Sequence, residues 1–176
     1  MFEITIYGRG GQGGKLAAQL LAEAALEEGK YSQAFSQYGP ERTGAPVISY
    51  ARISEDPILT HQPIIQPNVA LILDSSLLKD FKFGKEDLII NICPDIKLES
   101  FKNKIYRLDA SDIALKNLGR DFPNIVMLGA LIKVANLLKL SSLEQKIKEN
   151  FIKKSNNGIA EKNIKALQEG YQKTIC

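Results

Sequence analysis

From Phe2 to Tyr7 (FEITIY) the chain reads as a short strand, β-branched and aromatic, and glycines end it. The pattern then changes period. Leu16, Ala17, Leu20, Leu21 and Ala24 fall on one face of a helix over Leu16–Glu28, and Gly29 is placed to stop it. Tyr31–Gln37 reads as a second strand and Pro46–Ile53 (PVISYARI) as a third, with a polar loop between them. Asp56–Pro67, carrying Pro57, Pro63 and Pro67, is expected to be an extended connection.

Three continuous apolar runs follow: Val69–Leu73 ending in Asp74, Asp87–Ile92, and Lys104–Leu108 ending in Asp109. Such runs imply strands buried on both faces, which usually means a parallel sheet. The remainder reads as helical. Ile125–Leu138 is apolar all round, so it is expected to be deeply buried, with Gly129 and Ala130 allowing close approach of a neighbour. Ser141 and Glu144 have capping-box spacing for a helix over Ser142–Phe151. Asn157–Lys173 places Ala160, Ile164, Leu167 and Tyr171 along one stripe. With no internal repeat or linker, residues 1–176 are expected to form a single α/β domain: a largely parallel sheet flanked by helices, opening on a glycine-rich strand–turn–helix.

Composition narrows the functional classes. The 176 residues can bury roughly 70% of the unfolded surface, so no staple is required. A formal charge of +3 is too small to argue for nucleic acid. No apolar run approaches the ~20 residues that span a bilayer, and a cytoplasmic location is expected. The two cysteines, Cys93 and Cys176, are too few for a four-thiolate cluster or zinc site on this chain. Cys93 is expected to be a small buried hydrophobe, and Cys176 exposed.

The candidate chemistry begins at the glycine turn. Gly8, Arg9, Gly10, Gly11, Gln12 and Gly13 satisfy G-x-G-x-x-G between a strand and a helix. Glycines permit a tight turn and close approach of backbone, and the helix amides that follow favour an anion. A dinucleotide site also needs an acid about 20 residues on, at the end of the second strand. The nearest here is Glu41, inside a Gly/Pro loop. The turn therefore reads as a phosphate-binding loop, an interface loop, or a ligand-free strand-to-helix turn.

The segment Tyr38-Gly39-Pro40-Glu41-Arg42-Thr43-Gly44-Ala45-Pro46-Val47 resembles the Y-G-P-E-R-R-G-A-P-V segment of gamma subunits of pyruvate and related 2-oxoacid:ferredoxin oxidoreductases. The glycine turn is similar to their G-x-G-G-Q-G loop. Further similarity lies in Arg52-Ile53-Ser54, His61-Gln62-Pro63-Ile64, Asp74, Asn124–Ala130, and the last helix with Asn163, Ala166 and Gly170. Thr43 departs from the pattern where many relatives carry a second Arg, and Gly14-Lys15 where a β-branched residue is common.

The resemblance implies an activity of anaerobic metabolism: a 2-oxoacid, most simply pyruvate, coenzyme A and oxidised ferredoxin give acyl-CoA, carbon dioxide and reduced ferredoxin. It implies that thiamine diphosphate, Mg and iron–sulfur clusters sit on partner subunits, the thiamine-binding and ferredoxin-like chains. No catalytic or metal-ligating residue is expected on this chain. Glu41, Arg42 and Gly44 are candidate contacts to coenzyme A or to a subunit. Alternatives are a free-standing Rossmann-like nucleotide-binding protein and a module that positions coenzyme A.

Individual residues carry competing readings. Arg42 pairs with a phosphate or carboxylate, or with Glu41 locally. Arg9 points to an anion or to a partner subunit. Gln12 satisfies loop backbone or a ligand. His61, the only histidine, is expected to be a hydrogen-bonded loop residue, and Asp74 and Asp109 to be caps or ligand carboxylates at strand ends.

Overall fold

A computed structural model describes residues 1–38, 44–92, 101–154 and 157–176. Glu41 and Arg42, together with the rest of 39–43, and Cys93 lie outside the described residues. Six strands form one sheet: β1 (Phe2–Arg9), β2 (Tyr31–Tyr38), β3 (Pro46–Ser54), β4 (Val69–Ile72), β5 (Asp87–Asn91) and β6 (Ile105–Leu108). Its order is β2-β3-β1-β4-β5-β6. The helices are α1 (Gly14–Glu27), α2 (Ala110–Leu118), α3 (Asn124–Ala135), α4 (Leu140–Lys154) and α5 (Asn157–Lys173), with a short 3-10 helix at Ser75–Lys79.

The continuous apolar runs are indeed parallel strands: β4 pairs with β1, β5 with β4, and β6 with β5. The pairings β1–β3 and β3–β2 are antiparallel. β3 follows β2 and runs back along it, so that pair needs no crossover, whereas β1 reaches the parallel β2 through α1.

Sheet register sorts the side chains. Ile4, Ile6, Ala51, Ile53, Leu71, Leu73 and Ile89 face a core that includes buried residues from all five helices. The opposite face carries Ala70, Ile72, Leu88 and Ile90 under Leu78, Phe83 and Phe101. Both faces of the parallel strands are thus covered, as their composition implies, but α1 to α5 all lie on one, and the other is covered in part by the 3-10 helix through Leu78.

On the second face Arg52, 2% exposed, anchors the connection after β3. It donates from Nε to Glu3 at 2.8 Å and from Nη2 to the Gln62 carbonyl at 2.6 Å, and its guanidinium lies over the Phe35 ring.

Helix ends obey local chemistry, with two departures from expectation. Gly29, at φ +76°, ends α1: its amide donates to Leu26 O and the Lys30 amide to Ala25 O. α3 ends at Ala135 because Asn136 takes a left-handed conformation that Asn tolerates, so the helix stops short of Leu138. α4 begins at Leu140, which puts Ser141 inside its first turn and leaves no Ser141–Glu144 capping box. The Lys139 amide donates instead to Glu28 Oε1 at 2.7 Å.

α3 and α5 cross on glycines. A Cβ on Gly129 would stand 2.0 Å from Leu167 O, and one on Gly170 would stand 2.0 Å from Val126 O. Ala160 and Leu167 are buried along α5 as the stripe predicts, but Tyr171 is exposed. None of the described helices is long and apolar enough to cross a membrane.

Candidate functional site

β1 and β4 run parallel and adjacent, so their carboxyl ends, Gly8-Arg9 and Leu73-Asp74, emerge side by side. From there the chain diverges. β1 leads into α1, which packs over β2 and β3, whereas β4 leads through the 3-10 helix to β5 on the other side. Open α/β sheets form their ligand crevice at such a divergence. The glycine turn therefore lies where the fold makes room.

The turn is held by its own atoms. The Arg9 amide donates to Gln12 Oε1 at 2.7 Å, and the Gln12 amide returns to Arg9 O at 3.0 Å. Gln12 thus satisfies loop backbone, one of the two readings that the sequence leaves open. The Gly10 amide donates to Ala45 O at 3.0 Å, joining the turn to the segment before β3. Gly13, at φ +78°, packs against Asn124, whose Nδ2 donates to Gly13 O at 3.2 Å. The same contact requires glycine, since a Cβ there would come within 2.4 Å of Asn124 Nδ2. Gly13 gives α1 no side-chain cap, and the first turn holds no acid. The N-terminus of α1 thus meets the crevice with its dipole unopposed.

The sequence admits an anion or a partner as the target of Arg9. In the structure its guanidinium is engaged within the chain. Nε donates to Asp74 Oδ2 at 2.8 Å, Nη1 to the Gly44 carbonyl at 3.1 Å, and Nη2 to Ser76 Oγ at 2.7 Å. Asp74 also caps the 3-10 helix, accepting from the Ser76 amide at 2.9 Å and from Ser76 Oγ at 2.6 Å. Burial pushes the Asp74 carboxyl up, but the hydrogen bonds from Ser76 and Arg9 and the Arg9 charge outweigh it and hold the carboxyl below its ordinary value. One cation therefore ties together the turn, the end of β4 and the base of the loop that includes Gly44.

Asp109 is likewise a cap, accepting from the Asp112 amide at 2.8 Å at the start of α2. His61 is exposed and makes no hydrogen bond among the described residues, contrary to the sequence expectation. Cys176 is free and exposed. Sequence reasoning missed Ser76 and Asn124 as parts of the site. The Asp74-Ser75-Ser76 string carries a capping signal that could have marked the first. Asn124 opens a segment that resembles the family, but nothing local ties it to Gly13, 111 residues away.

Fold and site define an open-sheet α/β domain whose glycine turn is braced at the crevice of a mixed sheet. The model for the pyruvate ferredoxin/flavodoxin oxidoreductase family matches residues 3–173, and the chain belongs to that family. It is 42% identical to pyruvate synthase subunit PorC of Thermotoga maritima over 183 residues, covering 99% of this chain and 95% of that one. It is 43% identical to the pyruvate/ketoisovalerate oxidoreductases common subunit gamma of Pyrococcus abyssi over 184 residues, covering 99% and 97%. The crystal structure of pyruvate oxidoreductase subunit PORC from Thermotoga maritima superposes with a TM-score of 0.86 at 36% identity, covering 99% and 97%.

Proposed function

We propose that the chain is the non-catalytic gamma subunit of a cytoplasmic, thiamine diphosphate-dependent 2-oxoacid:ferredoxin oxidoreductase whose 2-oxoacid is pyruvate. The assembly would convert pyruvate and coenzyme A to acetyl-CoA and carbon dioxide, passing two electrons to oxidised ferredoxin. Thiamine diphosphate, Mg and the clusters would be held by the thiamine-binding and ferredoxin-like partner chains, and the isolated chain would be inactive. The observation that carries this reading is the braced glycine turn at the β1–β4 crevice, in a chain whose relatives are named as subunits over nearly their whole length. Reconstitution tests it. If the partner chains oxidise pyruvate with coenzyme A equally well without this chain, the reading is wrong.

The uncapped start of α1 favours a finer role, in which the turn and the Glu41–Arg42–Gly44 loop help to position a phosphate group of coenzyme A. Gly10→Ala and Arg42→Ala should then raise KM for coenzyme A and leave KM for pyruvate unchanged. Equal movement of both constants would assign the loop to subunit contact. The sheet order weighs against a free-standing dinucleotide-binding protein. The neighbours of β1 are β3, which is antiparallel to it, and β4, which is parallel, so the end of β2, where a ribose-binding acid would stand, is two strands away. Calorimetry of the isolated chain with NAD and FAD should show no binding.

A further inference from the structure

A second recess lies at the other end of the same strands, where Asn68 precedes β4 and Glu86 precedes β5. Its volume is about 580 Å3, and Gln66, Asn68, Gly84, Lys85 and Glu86 line it. Glu86 is 8% exposed, yet its carboxylate meets no hydrogen bond or ion pair among the described residues; only its backbone carbonyl is engaged, accepting from Asn103 Nδ2 at 2.8 Å. Gly84 leaves the space beside it: a Cβ there would come within 3.0 Å of Glu86 Oε2. A carboxylate largely removed from water without a cation or donor is unfavourable, and the fold retains it at the wall of an open hollow.

Ile65 sets the kind of occupant. It is 85% exposed and borders both this recess and a second of about 390 Å3 lined in part by Met1, itself 63% exposed. The two recesses share Ile65 and Gln66, so they form one surface with an apolar ridge. A small cation seated beside Glu86 would leave that ridge in water. A protein surface would cover it and pair the carboxylate together. Arginine suits the pairing best, being weakly hydrated and able to bind a carboxylate through two parallel hydrogen bonds.

We propose that this end of the sheet docks a neighbouring subunit of the complex, which inserts a basic side chain beside Glu86 and covers Ile65. The proposal rests on the subunit reading above and concerns the end of the sheet opposite the glycine turn. It is tested by expressing the chain with the partner chains of its complex and measuring the affinity of assembly for wild type, Glu86→Gln, Ile65→Ser and Leu115→Ser.

Glu86→Gln and Ile65→Ser should each weaken assembly by about tenfold or more. The melting temperature of isolated Glu86→Gln should hold or rise, and Leu115→Ser, exposed on α2, should change nothing. Assembly of both recess variants at wild-type affinity overturns the proposal. So does a loss of stability in isolated Glu86→Gln, which would assign the carboxylate an internal partner, or binding of spermidine that Glu86→Gln abolishes while assembly is unchanged. Because Ile65 is on the surface, its variant reads the docking without touching the core. Failure of the wild-type chain to assemble is a different result: it overturns the subunit reading and the docking surface with it.

Discussion

Arg9 Nε lies 2.8 Å from Asp74 Oδ2, and the two residues are 65 apart in sequence. The pair is only partly buried, so its value lies less in the charges than in what else each partner holds. Arg9→Ala removes donors to Asp74, Gly44 and Ser76 together and should destabilise the chain by about 1–3 kcal/mol. For a domain of this size, that lowers Tm by about 3–10 °C. Arg9→Lys keeps a charge for Asp74 but not the fork, and should recover only part of the loss. Urea unfolding of the three proteins checks the order wild type, Lys, Ala.

Gly13 faces two separate constraints, a positive φ and the amide of Asn124. Gly13→Ala should cost about 2–4 kcal/mol from left-handed strain and the clash combined. Adding Asn124→Ala removes the clash but not the strain. A double-mutant cycle should therefore show a coupling of about 1 kcal/mol or more, with incomplete recovery. Additive losses would show that the backbone conformation alone requires the glycine.

The α3–α5 crossing is the least forgiving place in the core. The atoms that a Cβ would meet at Gly129 and Gly170 are backbone atoms, first of all the Leu167 and Val126 carbonyl oxygens, which cannot rotate aside. Gly129→Ala and Gly170→Ala should each cost at least about 3 kcal/mol, or yield insoluble chain, although alanine is the better helix former. Gly158, on α5 with open space around it, is the control: Gly158→Ala should be neutral or stabilising. Denaturant midpoints of the three variants decide it.

Two groups set opposite limits on pH stability. Burial first, then the charges of Glu86 and Tyr50, push the Tyr7 phenol from 10.0 to about 12. The folded state holds this proton more tightly than the unfolded chain. Its contribution is therefore complete below pH 10.0 and is lost as pH rises through about 12. Tyr7→Phe should remove that alkaline loss. The Asp74 carboxyl is shifted the other way, so its contribution is present above its ordinary value of 3.8 and disappears as pH falls below it. Asp74→Asn should flatten the acid limb. Unfolding free energies across pH, with tyrosinate absorbance, separate the two limbs.

Periodicity made much of the fold legible. Strand–turn–helix at Phe2–Glu27, the apolar strands β4 to β6 and the bounds of α5 follow from spacing and composition alone. α2 was harder to see. It buries only Ala110, Ile113 and Ala114, so its apolar stripe is short, and the capping role of Asp109 is its clearest mark. Strand direction in β2 and β3 was not legible, because alternation shows which face a side chain takes and not which way its neighbour runs. The site was half legible. Glycines announce a turn, but Arg9–Asp74 and Gly13–Asn124 join residues far apart in sequence, and no local pattern encodes such contacts.

β1 is hydrogen-bonded to β3 on one side and β4 on the other, and its register is fixed against both. The ladder therefore measures distance as well as giving strength. Deleting one residue between Phe2 and Tyr7 would exchange the faces of Ile4 and Thr5 and draw Arg9 about 3.3 Å back from Asp74 and Ala45. A length change in the exposed link 119–122 leaves that measurement untouched. Variation in chain length across relatives should be sparse within β1 and free in the link, because the sheet acts as the ruler that brings the glycine turn to its place.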